Sequence, residues 1–293
     1  MGLRPAGVCL LAAAVRCTSP GDKASALERQ LWAIAEGEMP SDASGGESAP
    51  SGEPAELGEM ARRVLLREDG EHPIDAINRV VFGEGGFERE VDDDGLEYVL
   101  LPSVLLKRRG ACVGLGQLYL AVAKRAGLPL TGVLVPGHLF VRYNGPYGPR
   151  NIELLRLGED MPASWYERRY PVQGEVSAYH RPLTDAEVVA VLHYNVGNAH
   201  RHARRLQPAL QSYTQAALMF DDFPEAHASR GMTLQLLGEL DAAEAAYRRA
   251  HVLYPWLDGL AANMDLLQRE RCNIDVESGP ASCPMDSLVS PSR

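Results

Sequence analysis

Apolar residues recur at helical spacing in several segments of this chain, and the first of these segments lies at residues 24–35. There Leu27, Leu31 and Ile34 follow one another at intervals of four and three residues, which predicts a short amphipathic helix. From residue 36 to 54 the chain consists mainly of Gly, Ser, Pro, Glu and Asp and has almost nothing to bury. That composition predicts a flexible linker between the short helix and the ordered part of the chain.

A second helical pattern begins at Pro73, because a proline is favoured at the first position of a helix. The apolar residues Ile74, Ile77 and Val81 recur there on one helical face. We therefore expect a helix that opens at Pro73 and turns this apolar stripe towards the core.

The longest regular pattern runs from Cys112 to Pro129. Gly110 interrupts the preceding pattern, and apolar residues then recur at helical spacing until Gly127 and Pro129 end the helix. Cys112 is therefore predicted to lie in the first turn of a helix. Unpaired backbone N–H groups and the positive end of the helix dipole favour a thiolate at this place, so they lower the cysteine pKa and make its sulfur nucleophilic.

Three extended segments follow this helix. The first two cover residues 131–135 and 139–143, and His138 stands at the start of the second. An Asn-Gly turn then leads to a third segment at residues 151–155.

The register between the second and third segments determines which side chains share a face. If Tyr143 pairs with Gly148 or Arg150, then His138, Asn151 and Glu153 all point to one side, because side chains alternate along a strand. Either Glu153 or Asn151 can then hydrogen-bond one imidazole nitrogen while the other nitrogen faces Cys112.

Charge and composition narrow the classes of function. The formal net charge of -10 argues against a phosphate-binding surface, so we expect no nucleic-acid partner. No apolar run approaches the roughly 20 residues of a membrane-spanning helix. The sequence has no CxxC pair, and only His193 and His200 of the three histidines near residue 200 would share a helical face. We therefore predict neither a metal nor a cofactor.

The first 19 residues have the character of a targeting leader. Arg4 supplies a positive charge, and residues 6–15 are apolar and mostly small. Cys17, followed by Thr-Ser-Pro, resembles the lipid-modified cysteine of bacterial lipoproteins. Two localisations stay open, namely export or membrane anchoring through Cys17 in a bacterium, and a cytoplasmic protein with a short disordered start.

The segment RRGACVGLGQLYLAVAKRAGLPL, followed by PGHLFVRY and NIE, resembles the bacterial transglutaminase-like superfamily. The resemblance covers roughly residues 57 to 170 and implies a papain-like α+β fold without a metal. It also implies that Cys112 is a nucleophile, His138 a general base and Glu153 the acidic third member, with Asn151 as the alternative third member.

A 34-residue offset recurs in the last third of the chain, and it resembles the period of tetratricopeptide repeats. This resemblance implies an all-α segment that binds a protein partner. Such a short array needs another surface to cover its open end, so we expect it to dock against the cysteine domain. The pairs related by the offset are Gly197 and Gly231, Ala209 and Ala243, Tyr213 and Tyr247, and Ala216 and Ala250.

Taken together, the patterns predict an α+β cysteine domain followed by helical repeats. We interpret the protein as a cysteine hydrolase or acyl transferase that acts on a peptide or protein amide through Cys112, His138 and Glu153. The alternative is a catalytically inactive scaffold for protein–protein interaction. The predicted divisions are a leader at 1–19, a short helix and linker at 20–56, the cysteine domain at 57–185, the repeats at 186–270 and a disordered tail at 271–293.

Overall fold

The computed structural model describes residues 26–38, 55–92 and 95–278. The predicted leader with Cys17, most of the predicted linker and the chain after residue 278 lie outside these residues. In the part that is described, every helix is too short or too polar to cross a membrane.

Five helices form the N-terminal part of the structure, and their apolar faces share one core. Helix α1 carries the predicted stripe, and its Leu27 and Leu31 are fully buried. The helix predicted at Pro73 is also confirmed, although it continues as a π-helical turn over residues 79–84. The five helices are α1 (Ala26–Glu38), α2 (Ala55–Leu65), α3 (Pro73–Asn78), α4 (Leu96–Val99) and α5 (Leu101–Lys107).

Helix α6 (Cys112–Arg125) runs through the middle of this core, and Cys112 is its first residue, as the sequence predicts. Most of its residues are buried, because it packs against helices on one side and a sheet on the other. A two-residue parallel pair of β1 (Glu88–Arg89) and β2 (Arg109–Gly110) precedes it. The start of α6 is therefore fixed by contacts with neighbouring helices, the sheet and the β1–β2 pair.

The sheet is antiparallel, with the order β3 (Leu130–Val135), β4 (His138–Tyr143), β5 (Arg150–Glu153) and β6 (Glu159–Asp160). Tyr143 pairs with Arg150, which is one of the two registers that the sequence allows. The third extended segment is shorter than predicted, because residues 154–156 form a 3-10 turn. The Glu153 side chain accepts a hydrogen bond from the Leu155 N–H at 3.0 Å and so caps this turn.

After α7 (Ala163–Arg169) and an irregular stretch over 170–184, the described chain is helical from Asp185 to Ser278, which confirms the all-α C-terminal segment in its coarse form. Consecutive helices pack against one another and are joined by short turns. The predicted docking on the cysteine domain is confirmed, since Phe220 and Phe223 belong to the same core as α6. The helices are α8 (Asp185–His202), α9 (Leu206–Met219), α10 (Pro224–Leu236), α11 (Leu240–Leu253) and α12 (Leu260–Ser278).

The last helix is longer than its apolar pattern indicates, because it continues through residues predicted to belong to a disordered tail. Polar contacts are present at the first residue of this extension. Arg271 forms an ion pair with Asp241 at 2.9 Å and a second one with Glu244, so it ties α12 to α11. Ion pairs of this kind cannot be predicted from the spacing of apolar residues.

Candidate active site

The sulfur of Cys112 lies where α6 begins. Ala111, the residue before it, is extended, with φ -68° and ψ 173°, and its N–H donates to the Tyr98 carbonyl at 2.9 Å. Cys112 itself is a free thiol and is half-buried. Its position gives it the unpaired N–H groups and positive dipole of a helix start.

His138 is the first residue of β4, and Gly137 before it has a φ of +69°, a left-handed conformation that favours glycine. The imidazole is only 5% exposed. It lies flat against the Tyr170 ring, with the ring centres 5.0 Å apart and an angle of 10° between the planes. The turn and the stacking together limit the orientations that the imidazole can adopt.

The third group is Glu153, at the end of β5. Its Oε2 lies 2.8 Å from Nε2 of His138, and the carboxylate is 2% exposed. Its other oxygen accepts the Leu155 N–H that caps the 3-10 turn. Both oxygens are therefore committed, and the carboxylate is held against the imidazole.

Asn151, the alternative third member, lies on the same face but makes different contacts. Its Oδ1 accepts from Nε of Arg142 at 2.7 Å, and its Nδ2 donates to the Met161 carbonyl at 3.1 Å. The observed hydrogen bond to His138 comes from Glu153 instead.

Cys112 and His138 are hydrogen-bonded to each other. Because Nε2 faces Glu153, we infer that this bond falls to the other ring nitrogen, Nδ1. The sulfur also accepts from the backbone N–H of Leu139. The structure thus brings Cys112, His138 and Glu153 into one linear chain of polar contacts.

The electrostatics of this chain favour the charged form of both inner groups. Burial opposes ionisation of the Cys112 thiol, but the hydrogen bond and charge of His138 and the Leu139 N–H outweigh it, so the pKa of Cys112 is lowered. Burial likewise opposes protonation of His138, but its bonds to Cys112 and Glu153 raise its pKa to about 9. Between these two pKa values the pair is a thiolate and an imidazolium.

A pocket of about 540 Å³ opens onto Cys112 and His138. One wall comes from the cysteine domain and includes Leu134 and Tyr170. The opposite wall comes from the C-terminal helices. Its residues are Val191, Tyr194, Asn195, Asn198 and His202 of α8, Phe223, which precedes α10, and Glu225 of α10.

Sequence reasoning did not identify Tyr170 or Glu225 as site residues. Tyr170 follows the short α7, and Glu225 follows the proline that opens α10, so neither stands in a motif with a recognisable spacing. Among the described residues, no group of three or more His, Cys, Asp and Glu side chains is arranged to hold a metal ion. The histidines around residue 200 are part of α8 instead.

Comparison with known proteins gives similarities that include this site. The model of the transglutaminase-like superfamily matches residues 54–210, which is more than half of the chain. Two similar curated proteins are both called UPF0162 protein and come from Xylella fastidiosa strains 9a5c and Temecula1 / ATCC 700964. They are 25% and 27% identical to this chain over 191 residues, which cover 61% of this chain and 67% of each relative.

Proposed function

This chain belongs to the transglutaminase-like superfamily, and we propose that it is a cysteine hydrolase or acyl transferase acting on a peptide or protein amide. One observation carries the proposal. His138 bonds Glu153 through Nε2 at 2.8 Å and is also hydrogen-bonded to the Cys112 sulfur, and these contacts support a papain-like order of nucleophile, base and orienting acid.

In the first half of the reaction, the Cys112 thiolate attacks the amide carbonyl carbon and forms a tetrahedral oxyanion. In this proposal, backbone N–H groups at the start of α6 stabilise this charge. The His138 imidazolium gives its proton to the leaving nitrogen as the C–N bond breaks, which leaves a thioester on Cys112. Glu153 keeps the imidazole oriented and stabilises its charged form.

In the second half, a water molecule or an amine attacks the thioester. The now neutral His138 takes the proton of this nucleophile, and the Cys112 thiolate leaves as the C–S bond breaks. Water gives hydrolysis and an amine gives acyl transfer. The pocket is open to both, so the acceptor is a matter for experiment.

A screen of amide-containing peptides tests this proposal. We expect the intact chain to convert some of them, with hydrolysed products in water and hydroxamates when hydroxylamine is the acceptor, as measured by mass spectrometry. Cys112→Ala should lose this turnover by a factor of at least about 10³, because the nucleophile is removed. A stable Cys112→Ala protein with the same turnover as the intact chain would contradict the cysteine mechanism.

The alternative scaffold function makes the opposite prediction. An inactive domain has no turnover on any peptide, and its Cys112 has no need of a low pKa. If the screen finds no product and Cys112 labels as an ordinary thiol, the scaffold becomes the better account.

We also propose that α8 to α11 form two tetratricopeptide repeats that bind protein. Equivalent contacts 34 positions apart support this assignment. A Cβ added at Gly197 would lie 2.6 Å from the Tyr213 ring, and one added at Gly231 would lie 2.7 Å from the Tyr247 ring. Each glycine thus lets the first helix of a pair approach the tyrosine of the second.

Replacing Gly231 with alanine tests this packing. Since the new methyl group meets a buried ring, we expect the free energy of unfolding to fall by about 1–3 kcal/mol, and Gly197→Ala should behave alike. Urea denaturation measures the change. Gly83→Ala is the matched control, because no atom lies within 4 Å of its added Cβ. Equal stability of all three variants would contradict a close glycine–tyrosine contact.

A further inference from the structure

Glu225 is a buried acid in the active-site pocket to which the proposed mechanism assigns no role. It lies in the first turn of α10 and is 8% exposed, yet it lines the same pocket as Cys112 and His138. The C-terminal helices therefore place a carboxyl group in the pocket that also holds the reacting sulfur.

Of the two Glu225 oxygens, only Oε1 accepts a hydrogen bond from another side chain of the described residues, while backbone N–H groups of Gly137 and Glu225 also lie near the carboxylate. Oε1 accepts from the Tyr179 hydroxyl at 2.8 Å. Oε2 is buried and has no hydrogen-bond partner within the described part of the chain. Removing a carboxylate oxygen from water without a partner is costly, so a group that completes this site would be bound favourably.

The acidic side chains that line the pocket indicate the charge of a ligand that would bind there. Besides Glu225, the lining contains Glu90 and Asp92, and no lysine or arginine stands among the described residues that line it. The Glu90 carboxylate accepts hydrogen bonds from the backbone N–H groups of Val91 and Asp92, and the Asp92 side chain is exposed to solvent. Within the described residues, Glu225 is therefore the buried carboxylate of this lining that forms no ion pair.

The pKa of Glu225 is consistent with a buried carboxyl group that has no nearby cation in the part of the chain that is described. Burial raises its pKa to about 7, against the hydrogen bond from Tyr179 and the nearby backbone N–H of Gly137. A bound cation would favour the ionised form, as an opposite charge does for any buried acid.

We propose that Glu225 is a specificity-determining residue that binds a protonated amine or a guanidinium on the substrate. This inference rests on the proposed function, and it names the substrate class as a basic peptide or protein segment. The ammonium or guanidinium pairs with the Glu225 carboxylate, while the amide to be cleaved lies at Cys112. The repeats thereby contribute to substrate selection from the far wall of the pocket.

Charged reagents that modify Cys112 test the inference without a known substrate. The full-length protein is treated with 2-aminoethyl and 2-sulfonatoethyl methanethiosulfonate, and the rate at Cys112 is measured by mass spectrometry of its peptide. Methyl methanethiosulfonate, which is uncharged, gives the reference rate of Cys112 modification. We expect the ratio of the cationic to the anionic rate to fall by about tenfold in Glu225→Gln, the size of effect that a charge-assisted hydrogen bond has.

Two variants separate charge recognition from a structural role. Tyr179→Phe removes the hydrogen bond to Oε1 but leaves the carboxylate, so the rate ratio should stay at least as high as in the intact protein. Asp92→Asn removes an exposed charge of the lining and should lower the ratio by about twofold or less, since solvent screens it. Thermal melting of each variant shows whether it is folded.

An unchanged ratio in folded Glu225→Gln overturns the inference. So does an equal fall in Tyr179→Phe, because that result makes Glu225 a structural tie between α10 and the cysteine domain. A different measurement would contradict the proposed function. That result is a rate of Cys112 modification by the neutral methyl reagent equal to the rate of an ordinary thiol. The two failures are therefore distinguishable in one set of measurements.

Discussion

In a His138→Ala variant, Cys112 is expected to react as an ordinary thiol, and amide turnover is expected to fall by a factor of about 10² to 10⁴. The reason is the contact between the two groups. The hydrogen bond and charge of His138 are what lower the Cys112 pKa against burial, so their removal leaves burial to raise it. The proton donor for the leaving amine is lost as well.

The pH dependence of iodoacetamide labelling measures the first effect. In the intact protein, labelling of Cys112 should persist below the pH at which an ordinary thiol protonates, because its pKa is lowered. In the variant the labelling curve should move to higher pH. Turnover by the intact protein should rise with pH as the thiolate forms and decline above about 9, where His138 loses the proton that it donates.

Two further variants act as controls for this experiment. His138→Gln keeps a polar group beside the buried Glu153, so it tests the same point if the alanine variant folds poorly. His251→Ala removes an exposed histidine of α11 and should leave the labelling curve unchanged. Identical curves for the intact protein and both His138 variants would end the thiolate–imidazolium proposal.

Glu153→Gln is expected to reduce turnover by a factor on the order of 10³ to 10⁴ with little change in the fold. The amide oxygen of glutamine can still accept the Leu155 N–H that Glu153 accepts at 3.0 Å. The amide N–H then faces Nε2, so this nitrogen becomes an acceptor and the proton moves to Nδ1. A His138 in that tautomer cannot take the proton of the attacking water or amine.

The same variant should shift the alkaline limb of the pH profile to lower pH. Glu153 is one of the groups that raise the pKa of His138, so its loss lowers the pH at which the imidazolium deprotonates. Kinetics of turnover against pH, with the peptides found in the screen, measure both effects. Full activity with an unmoved alkaline limb would show that Glu153 does not orient the imidazole.

Asn151→Ala is the matched control, since Asn151 is the alternative third member. Its amide bonds Arg142 and the Met161 carbonyl, so its loss should affect the local sheet more than the reaction. If turnover fell in Asn151→Ala by the factor expected for Glu153→Gln, Asn151 rather than Glu153 would be assigned as the third member.

Much of the fold follows from local patterns. The start of α6 at Cys112 depends on the glycine before it and on the apolar spacing after it, and both stand within a few residues. The pairing of Tyr143 with Arg150 was one of two registers that a short hairpin allows. The helices of the C-terminal segment follow from their apolar periodicity and from glycines that recur 34 positions apart.

Other features arose from polar side-chain contacts. The 3-10 turn at residues 154–156 depends on the Glu153 side chain capping it, which apolar alternation does not encode. Arg271, in the part of α12 beyond the apolar pattern, forms ion pairs with the acids of α11. Apolar periodicity reflects burial, whereas these contacts are polar, and the pairs made by Arg271 also join residues far apart in the sequence.

Local sequence was sufficient to put a cysteine at a helix start and to set His138, Asn151 and Glu153 on one face of a sheet, because helix ends and strand alternation depend on neighbours along the chain. The tertiary structure alone decided which of the two candidates bonds the imidazole, and it alone brought Tyr170 and Glu225 to the pocket. Those outcomes depend on competing polar partners and on loops and helices that meet in space, and no local pattern contains their geometry.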